Sequence, residues 1–410
     1  MIDRTKYLYV GMDIHKETHT AVLLNYLEEK QGEITITNTL QGFHQLEKYV
    51  LKQKGELIPL FGLEDVTHYG RNLSIFLLDK GYPVKEVNPS LSFMERMSYA
   101  STKKNDSWDA QCISAVLMRR SHLLPDATPQ DYYWTMRHIV NRRNALVKNL
   151  GGLTRQFHEQ LQVAYPSYKQ FFHEVTCATS LAFYEEFPSS KYLENISEEE
   201  LGAFLRIPSH NTCSTNRARK ILDLVAQEQQ KSLDYQQERD CLVRSIAQKI
   251  RFILREISTI EKLETKMYQK LGYQLETIPG VNIVTACSLV AHIGDIYRFS
   301  SPHKLANYAG VAPLHFGSAG KGKDVQNKSQ GNRNLYSTLY FLAVQQIYLT
   351  SKGKPRNPVY RAYFEKKISE GKTKIQALIC IMRKLIRIIY VMMKKKVAYE
   401  LPELNQKAIS

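Results

Sequence analysis

The stretch Tyr7-Leu8-Tyr9-Val10-Gly11-Met12-Asp13 is an apolar run that stops at a carboxylate. Its length and its aromatic and branched side chains predict a buried β-strand. Burying an acid at the end of such a strand costs free energy unless the acid has a partner or a task. The stretch therefore predicts a strand that presents a functional carboxylate at its end.

The residues that follow alternate between strand and helix patterns. Short apolar or alternating stretches predict further strands at 18–25, 33–40, 57–63 and 82–87. Apolar residues at helical spacing predict helices at 42–54, 72–80 and 106–120. A meander of strands followed by alternating helices and strands is typical of an α/β domain with a mixed sheet.

The middle of the chain is predicted to be helical. Residues 132–161 show a long basic helix pattern with an expected break at Gly151-Gly152, and residues 162–220 predict short helices. Residues 221–271 contain no Gly or Pro, and isoleucines recur there at steps of three and four. That seam favours a coiled coil, and a core helix is the alternative.

A second globular unit is predicted to begin near residue 273. Ile278-Pro279-Gly280-Val281 lies between two apolar helical stretches, which is typical of a helix-hairpin-helix. In such hairpins, backbone N–H groups at a helix N-terminus hold a phosphate, although Pro-Gly is also a common turn. Residues 310–331 predict a loop rich in Gly and Lys, and helix patterns follow at 334–349 and 374–394.

The positive charge of the chain is concentrated in its last part. The 410 residues suffice for two or three domains and carry a formal net charge of +16. Residues 298–410 contain 21 Lys and Arg against five Asp and Glu, whereas the preceding residues are neutral. This block predicts a polyanionic partner, since each neutralised phosphate releases counterions, and a solvated basic tail is the alternative.

Several classes of protein are excluded by composition. Met1-Ile2-Asp3-Arg4 lacks the apolar stretch of a secretory signal. Charged residues interrupt the apolar stretch 375–393, so no membrane span and no membrane partner are predicted. The six cysteines are far apart and form no Cys-x-x-Cys pair, which argues against a zinc ribbon and against a disulfide framework. Together these features predict a protein of the reducing cytoplasm.

Four acids stand where the predicted elements would converge. Asp13 and Glu64 end strands, and Asp106 and Asp109 share one face of a helix. Four carboxylates repel each other unless cations neutralise them, and oxygen ligands favour Mg²⁺ or Mn²⁺ over zinc. Two such ions about 4 Å apart would clamp a phosphodiester during cutting. Singly, each acid could be a surface charge or a cap. His15 can reach this centre, where a supporting role is expected.

A serine stands in the Gly/Lys-rich stretch Pro313–Lys323, with the sequence PLHFGSAGKGK. Small neighbours would let a DNA backbone approach the Ser318 hydroxyl. Charge on a phosphoryl transition state could be stabilised by the nearby cations Lys321, Lys323, Lys328 and Arg333. No histidine or acid at fixed spacing marks a general base. The residues alone therefore favour a phosphate-binding loop, with a nucleophilic Ser318 as the alternative.

Two motif sets occur in this order in the chain. The first comprises Gly11-Met12-Asp13-Ile14-His15-Lys16, Glu64, and Lys104-Asn105-Asp106 followed by Asp109-Ala110. The second comprises Ile278-Pro279-Gly280, Phe299, Leu305-Ala306, Tyr308-Ala309-Gly310-Val311, Pro313, Gly317-Ser318-Ala319-Gly320-Lys321, Lys328-Ser329-Gln330-Gly331-Asn332-Arg333 and Leu335. Together they resemble the four-acid (DEDD) transposases of bacterial insertion sequences, over roughly residues 7–165 and 273–350.

The resemblance implies a fold class of α/β plus α. It implies a RuvC-like domain with the ribonuclease H fold at residues 1–165, which would carry the DEDD acids. A helical linker and a long coiled-coil helix would occupy residues 166–272. A mainly helical transposase domain with the serine loop would span residues 273–395, and residues 396–410 would form a flexible tail.

The resemblance also implies an RNA-guided recombinase. A structured non-coding RNA of the element, the bridge RNA, would pair with donor and target DNA. Mg²⁺ would be bound by Asp13, Glu64, Asp106 and Asp109. Ser318 would form a covalent phosphoserine link to DNA, and in a tetramer the acids of one subunit would meet the serine of another. The RNA and DNA backbones would be contacted by Lys104, Arg137, Arg142, Arg143, Lys148 and the basic residues around the serine.

The serine loop departs from the usual pattern of this family. The family usually has Ser-Ser-Gly-Gly, and this chain has Gly317-Ser318-Ala319-Gly320, which keeps the hydroxyl in place. Two rival functions remain open. One is a RuvC-like structure-specific DNA endonuclease that hydrolyses DNA and in which Ser318 is structural. The other is a non-enzymatic protein that binds RNA or DNA and whose acids are structural.

Overall fold

The computed structural model describes residues 3–65, 68–99, 105–129, 132–213, 215–228, 234–318, 321–326 and 331–400, with the backbone alone described for 313–318 and 321–326. The chain divides into two compact units, Met1–Tyr132 and Tyr133–Ser410. The division into domains at 165, 272 and 395 stays a prediction. Among the described residues, none of the helices is both long and apolar enough to cross a bilayer.

The first unit is a mixed sheet with helices. Its elements are β1 (Tyr7–Ile14), β2 (Thr18–Leu24), β3 (Lys30–Thr37), α1 (Leu40–Gln53), β4 (Ile58–Glu64), α2 (Arg71–Asp79), β5 (Val84–Glu86), α3 (Pro89–Met97) and α4 (Asp106–Arg120). The strand order is β3-β2-β1-β4-β5. The first three strands pair antiparallel, whereas β4 lies parallel to both β1 and β5. The predicted mixed α/β sheet is confirmed, and α3 is an additional helix.

A glycine in β1 lets α4 lie directly on the sheet. The Gly11 N–H donates to Ser114 Oγ at 2.8 Å, and that hydroxyl donates to the Val22 carbonyl at 2.7 Å. A Cβ atom added to Gly11 would lie 2.3 Å from the backbone nitrogen of Ser114, so only glycine permits this approach. The contact fixes α4 against β1 and β2.

The second unit is mainly helical. Its elements are α5 (Tyr132–Ala164), α6 (Ala178–Glu186), α7 (Glu198–Arg206), α8 (Thr215–Glu228), α9 (Gln236–Leu271), α10 (Ile283–Ile293), α11 (Pro302–Tyr308), β6 (Pro313–Ser318), β7 (Lys321–Gln326), α12 (Arg333–Ile347), α13 (Pro358–Ser369) and α14 (Lys374–Lys395). Three predictions are wrong here. The helix pattern at 221–271 is not one helix, since α8 ends at Glu228 and α9 begins at Gln236. The expected break at Gly151-Gly152 is absent, since α5 continues through both residues. The expected loop at 310–331 contains the antiparallel hairpin β6–β7.

The apolar seam of α9 packs against α5 of the same chain. Ile253 and Ile257 form a buried cluster with Leu146 of α5. The ends of the two helices also share clusters, which pair the start of α5 with the end of α9. This intramolecular contact explains why α9 is long and apolar on one side. A coiled coil between chains stays a prediction.

Candidate metal centre and serine hairpin

Two of the four predicted acids end neighbouring strands. Asp13 of β1 lies directly beside Glu64 of β4 in the parallel register. The other two, Asp106 and Asp109, lie in the first turn of α4, where the helix dipole favours negative charge. The Asn105 side chain caps this helix by accepting from the N–H of Trp108. The strand register and the cap therefore place the four acids at the ends of adjacent elements.

His15 lies between two of the acids. Its Nε2 atom is 3.1 Å from Asp13 Oδ2 and 3.5 Å from Asp106 Oδ1. One ligand atom from each of Asp13, His15 and Asp106 lies within 4.8 Å of the others. The sequence assigned His15 only a supporting role. The spacing of Asp13 and His15 at the end of one strand is the signal that could have included the imidazole in the ligand set.

The pKa of Asp13 is affected by burial and by the charges of the three other acids. Burial raises the pKa of Asp13, and the nearby His15 opposes that rise. The three other acids each raise this pKa further through charge repulsion. A carboxylate surrounded by three others is stabilised by a bound cation, so the electrostatics fit a cation site.

Two side chains of helix α3 contact two of the acids. The hydroxyl of Ser92 donates to Glu64 Oε2. The Arg96 guanidinium lies 3.1 Å from Asp109 Oδ1, an ion pair without a well-aligned hydrogen bond. Neither residue was predicted from sequence, because no helix was expected directly after the strand at 82–87. Asn88 in fact caps α3, and Pro89 is its first residue, a pattern typical of a helix start.

The donor set fits a divalent metal ion. Oxygen donors from Asp13 and Asp106 and one imidazole nitrogen from His15 face one another, and divalent first-row ions and Mg²⁺ accept such carboxylate-rich sites. Arg96 neutralises Asp109, which leaves the negative charges of the three other acids for a metal ion. The described residues can therefore hold a metal ion at the end of β1.

The serine lies at the tip of the β6–β7 hairpin in the second unit. Ser318 is the last residue of β6 and pairs with Lys321 of β7, and Phe316 pairs with Lys323. The turn residues Ala319 and Gly320 lie outside the described residues, as does Lys328. A lysine from the facing strand is thus opposite the serine in the backbone register.

The remaining predicted nucleic-acid residues have mixed surroundings. Arg142 and Arg143 form ion pairs with Glu256 and Glu261 of α9 at 2.6 and 2.8 Å. The Arg137 Nε–H donates to the Ala291 carbonyl at 3.1 Å. Lys148 and Arg333 are exposed, and Lys104 lies outside the described residues. Three of these arginines therefore make contacts within the chain, and their binding to nucleic acid stays a prediction.

Comparison with known sequences places the chain in a family. Residues 10–166 match a model described as a transposase with DEDD acids of the IS110 type, and residues 272–360 match the transposase IS116/IS110/IS902 family. An uncharacterised protein of insertion element IS116 from Streptomyces clavuligerus is 23% identical over 410 residues, 97% of each chain. An uncharacterised protein of insertion element IS900 from Mycobacterium paratuberculosis is 22% identical over 308 residues, 74% of each chain.

A relative whose name states an activity matches a shorter part of the chain. The pilin gene-inverting protein of Moraxella lacunata is 35% identical over 150 residues, which is 33% of this chain and 44% of the relative. The two family matches cover the acidic centre and the serine hairpin respectively. The chain therefore belongs to the IS110 family of transposases, enzymes that act in DNA recombination.

Proposed function

We propose that this transposase cuts and rejoins DNA through a covalent phosphoserine link at Ser318. Mg²⁺ ions are held by Asp13, Glu64, Asp106 and Asp109, with His15 beside them. The observation that carries the proposal is geometric: Asp13 lies beside Glu64 in the strand register, and one ligand atom from each of Asp13, His15 and Asp106 lies within 4.8 Å of the others. The tip position of Ser318 in the hairpin supports its role, since a hairpin tip can reach a DNA backbone.

The reaction exchanges one phosphate ester for another. Ser318 Oγ attacks a DNA phosphorus, its proton is released, and the bond from phosphorus to one deoxyribose oxygen breaks. That oxygen leaves as a hydroxyl, and the phosphate stays on the serine. A hydroxyl of a second strand then attacks the same phosphorus and frees Ser318 Oγ. When bound, divalent ions supply Lewis-acid stabilisation of the charge that develops on the phosphate.

Rejoining is favoured over hydrolysis by one comparison. The pilin gene-inverting relative is named for inverting a gene, and inversion requires that cut DNA ends be joined again. A RuvC-like structure-specific endonuclease, the second candidate, shares the acids and leaves free ends. The phosphoserine link keeps the energy of the broken ester, so rejoining requires no external source of energy.

The choice of DNA is assigned to a guide RNA. The basic residues 298–410 can contact nucleic-acid backbones without reading bases. Sequence is then read by pairing of the bridge RNA with donor and target DNA. The acids lie in the first unit and Ser318 in the second. In the proposed tetramer, the acids of one subunit complete the site around the serine of another.

A denaturing gel tests the covalent step. The protein is incubated with Mg²⁺, labelled DNA carrying an element end and RNA transcribed from the flanks of the gene. We expect a protein–DNA adduct that disappears in Ser318→Ala and in Asp13→Asn. Ser369→Ala, a change of an exposed serine in α13, serves as the matched control and keeps the adduct.

The alternative outcomes separate the two candidates and the role of the RNA. Free hydrolysed ends with full activity in Ser318→Ala would show the endonuclease instead. Equal cutting with and without the RNA, at the same positions, would contradict guidance while leaving the phosphoserine step intact.

A further inference from the structure

A cavity of about 380 Å³ lies in the second unit between α5, α10 and α12. This volume is at the low end of the range for ligand sites, about 300–1,000 Å³. Its polar walls carry the amides of Asn144 and Gln345 and the hydroxyls of Thr285, Ser288 and Thr338. The Thr285 and Thr338 hydroxyls already donate within the chain, to Asn282 Oδ1 and to the Asn334 carbonyl, so they offer a ligand acceptor oxygens, and the amides of Asn144 and Gln345 offer the donors. None of the activities derived above uses this cavity.

The single charged residue in the described lining is already neutralised. Arg143 donates from Nε and Nη2 to Glu261 Oε1, at 3.0 and 2.8 Å. Because this ion pair satisfies the guanidinium within the chain, the cavity is a poor site for a phosphate or another anion. Its walls suit a neutral ligand with several hydrogen-bonding groups.

An aromatic ring completes the cavity. Phe341 of α12 lines it and is nevertheless 62% exposed, so one face of the cavity is an open aromatic surface. Leu342 and Val284 supply apolar contacts beside the polar groups. A planar ligand with polar edges can stack on the ring and place its edges against the hydroxyls and amides. Nucleobases have this combination of properties, and every base can stack on an aromatic side chain.

We propose that this cavity takes up one unpaired nucleobase of the DNA substrate. The base stacks on Phe341, and its edge hydrogen-bonds with Thr338, Asn144 and Gln345. The inference rests on the proposed function only in requiring a DNA substrate. Extruding a base from a duplex costs free energy, and stacking on the protein offsets part of that cost. The cavity would therefore favour DNA that is already opened or distorted at one position.

Fluorescence of 2-aminopurine tests the proposal. The full-length protein is titrated, in EDTA so that no cutting occurs, into a DNA duplex with one unpaired 2-aminopurine and into its fully paired counterpart. We expect quenching of the unpaired base on binding and a preference for this duplex of roughly tenfold or more. Phe341→Ala should abolish both effects. Phe252→Ala, a change of a 57% exposed phenylalanine of α9 outside the cavity, should leave them unchanged.

A second variant tests the cavity without removing the ring. Ser337→Trp places a bulky side chain into the lining from an exposed position and should also abolish quenching. Retention of quenching and preference in both variants would overturn the proposal. The same preference seen only for an unpaired base in an RNA duplex would overturn the assignment to DNA. Because the assay needs no cutting, its result is independent of whether Ser318 forms an adduct.

Discussion

The acidic centre gathers like charges, whereas the α5–α9 helix pair contains pairs of opposite charges. At the acidic centre, burial raises the pKa of Asp13, His15 opposes that rise, and the charges of three other carboxylates add to it. Along the helix pair, Arg143 meets Glu261 at 2.8 Å. A protein gains no stability from gathering like charges, whereas paired charges are compatible with a structural role. The comparison indicates that the acids are kept for a ligand and the arginine–glutamate pairs for packing.

The largest expected effect is the loss of DNA cutting in Asp13→Asn. Losing one carboxylate of the centre should weaken stabilisation of the transition state by about 4 kcal/mol, roughly 10³-fold in rate. The fold should not be weakened, because the amide removes both a buried charge and its repulsion. The rate of adduct formation and the thermal unfolding temperature measure the two effects.

Asp79→Asn is the matched control for this change. Asp79 is an exposed acid at the end of α2, and its replacement should alter neither quantity. A strongly destabilised Asp13→Asn protein would break the comparison, since it would make the acid a structural residue. Cutting within tenfold of the unchanged protein would contradict the metal site.

The positions of the acids could be predicted from sequence because they follow from the ends of regular elements, and a shared metal site of all four stays a prediction. Asp13 and Glu64 close two apolar strands, and the spacing of Asp106 and Asp109 fixes one helix face. Parallel strands whose ends meet place such residues side by side, as the register of β1 and β4 does. The spacing of Asp13 and His15 offered a signal for the imidazole, but its distance from the acids depends on the turn after β1, which no periodicity describes.

Glu264 of α9 is a buried acid that, unlike Glu256 and Glu261, has no ion pair with the described residues of α5. The second-largest expected effect is its contribution to the pH dependence of stability. Its carboxylate is 1% exposed, and neither oxygen has a hydrogen-bond partner among the described residues. Burial raises its pKa to about 7, Arg143 lowers it and Glu261 raises it. The folded protein therefore binds this proton more tightly than the unfolded chain. The resulting stability is complete below the ordinary value of 4.5 and is lost as the pH rises through 7.

Glu264→Gln should remove this pH dependence. The variant should be more stable than the unchanged protein at pH 8 by up to about 3 kcal/mol, and the difference should shrink toward pH 5. Urea unfolding at a series of pH values measures it. Glu238→Gln, at an exposed position of α9, should follow the unchanged protein. Parallel pH profiles for Glu264→Gln and the unchanged protein would show that Glu264 is charged and paired in solution.

Gly11→Ala tests how closely the sheet and α4 must approach. A new Cβ would lie 2.3 Å from Ser114 N and 2.6 Å from the Ala110 carbonyl oxygen, so α4 must move. Overpacking of this kind should cost about 1–3 kcal/mol and should reduce cutting, because Asp106 and Asp109 move with the helix. Gly151→Ala is the matched control, since nothing lies within 4 Å of its new Cβ. It should stabilise α5 by about 0.5–1 kcal/mol.

Several structural features could not be predicted from sequence, for physical reasons. In the β6–β7 hairpin, apolar alternation is limited to Leu314 and Phe316, and the glycines and lysines that follow hid the strand pattern. The break expected at Gly151-Gly152 did not occur, because the cost of glycine in a helix is small beside the packing of α5 on α9. The partner of the α9 seam is distant in sequence, and periodicity reports a buried face without naming what covers it.

The smallest expected effect concerns the ion pairs of the helix pair. Arg142 is 55% exposed and meets Glu256 at 2.6 Å, whereas Arg143 is 23% exposed and gives two N–H donors to Glu261. Exposed ion pairs contribute little, because water and salt screen them. Double-mutant cycles with alanine should give a coupling below about 0.5 kcal/mol for the first pair and about 1 kcal/mol for the second.

The two ion pairs should also differ in how strongly salt reduces their coupling energies. In 1 M NaCl the coupling of Arg142 with Glu256 should vanish, and that of Arg143 with Glu261 should persist in part because its groups are less exposed. A coupling of several kcal/mol at Arg142 would contradict this ranking. Arg142 would then be a fixed structural residue, and its predicted contact with a nucleic-acid backbone would have to be abandoned, since the guanidinium would leave Glu256 only at that cost.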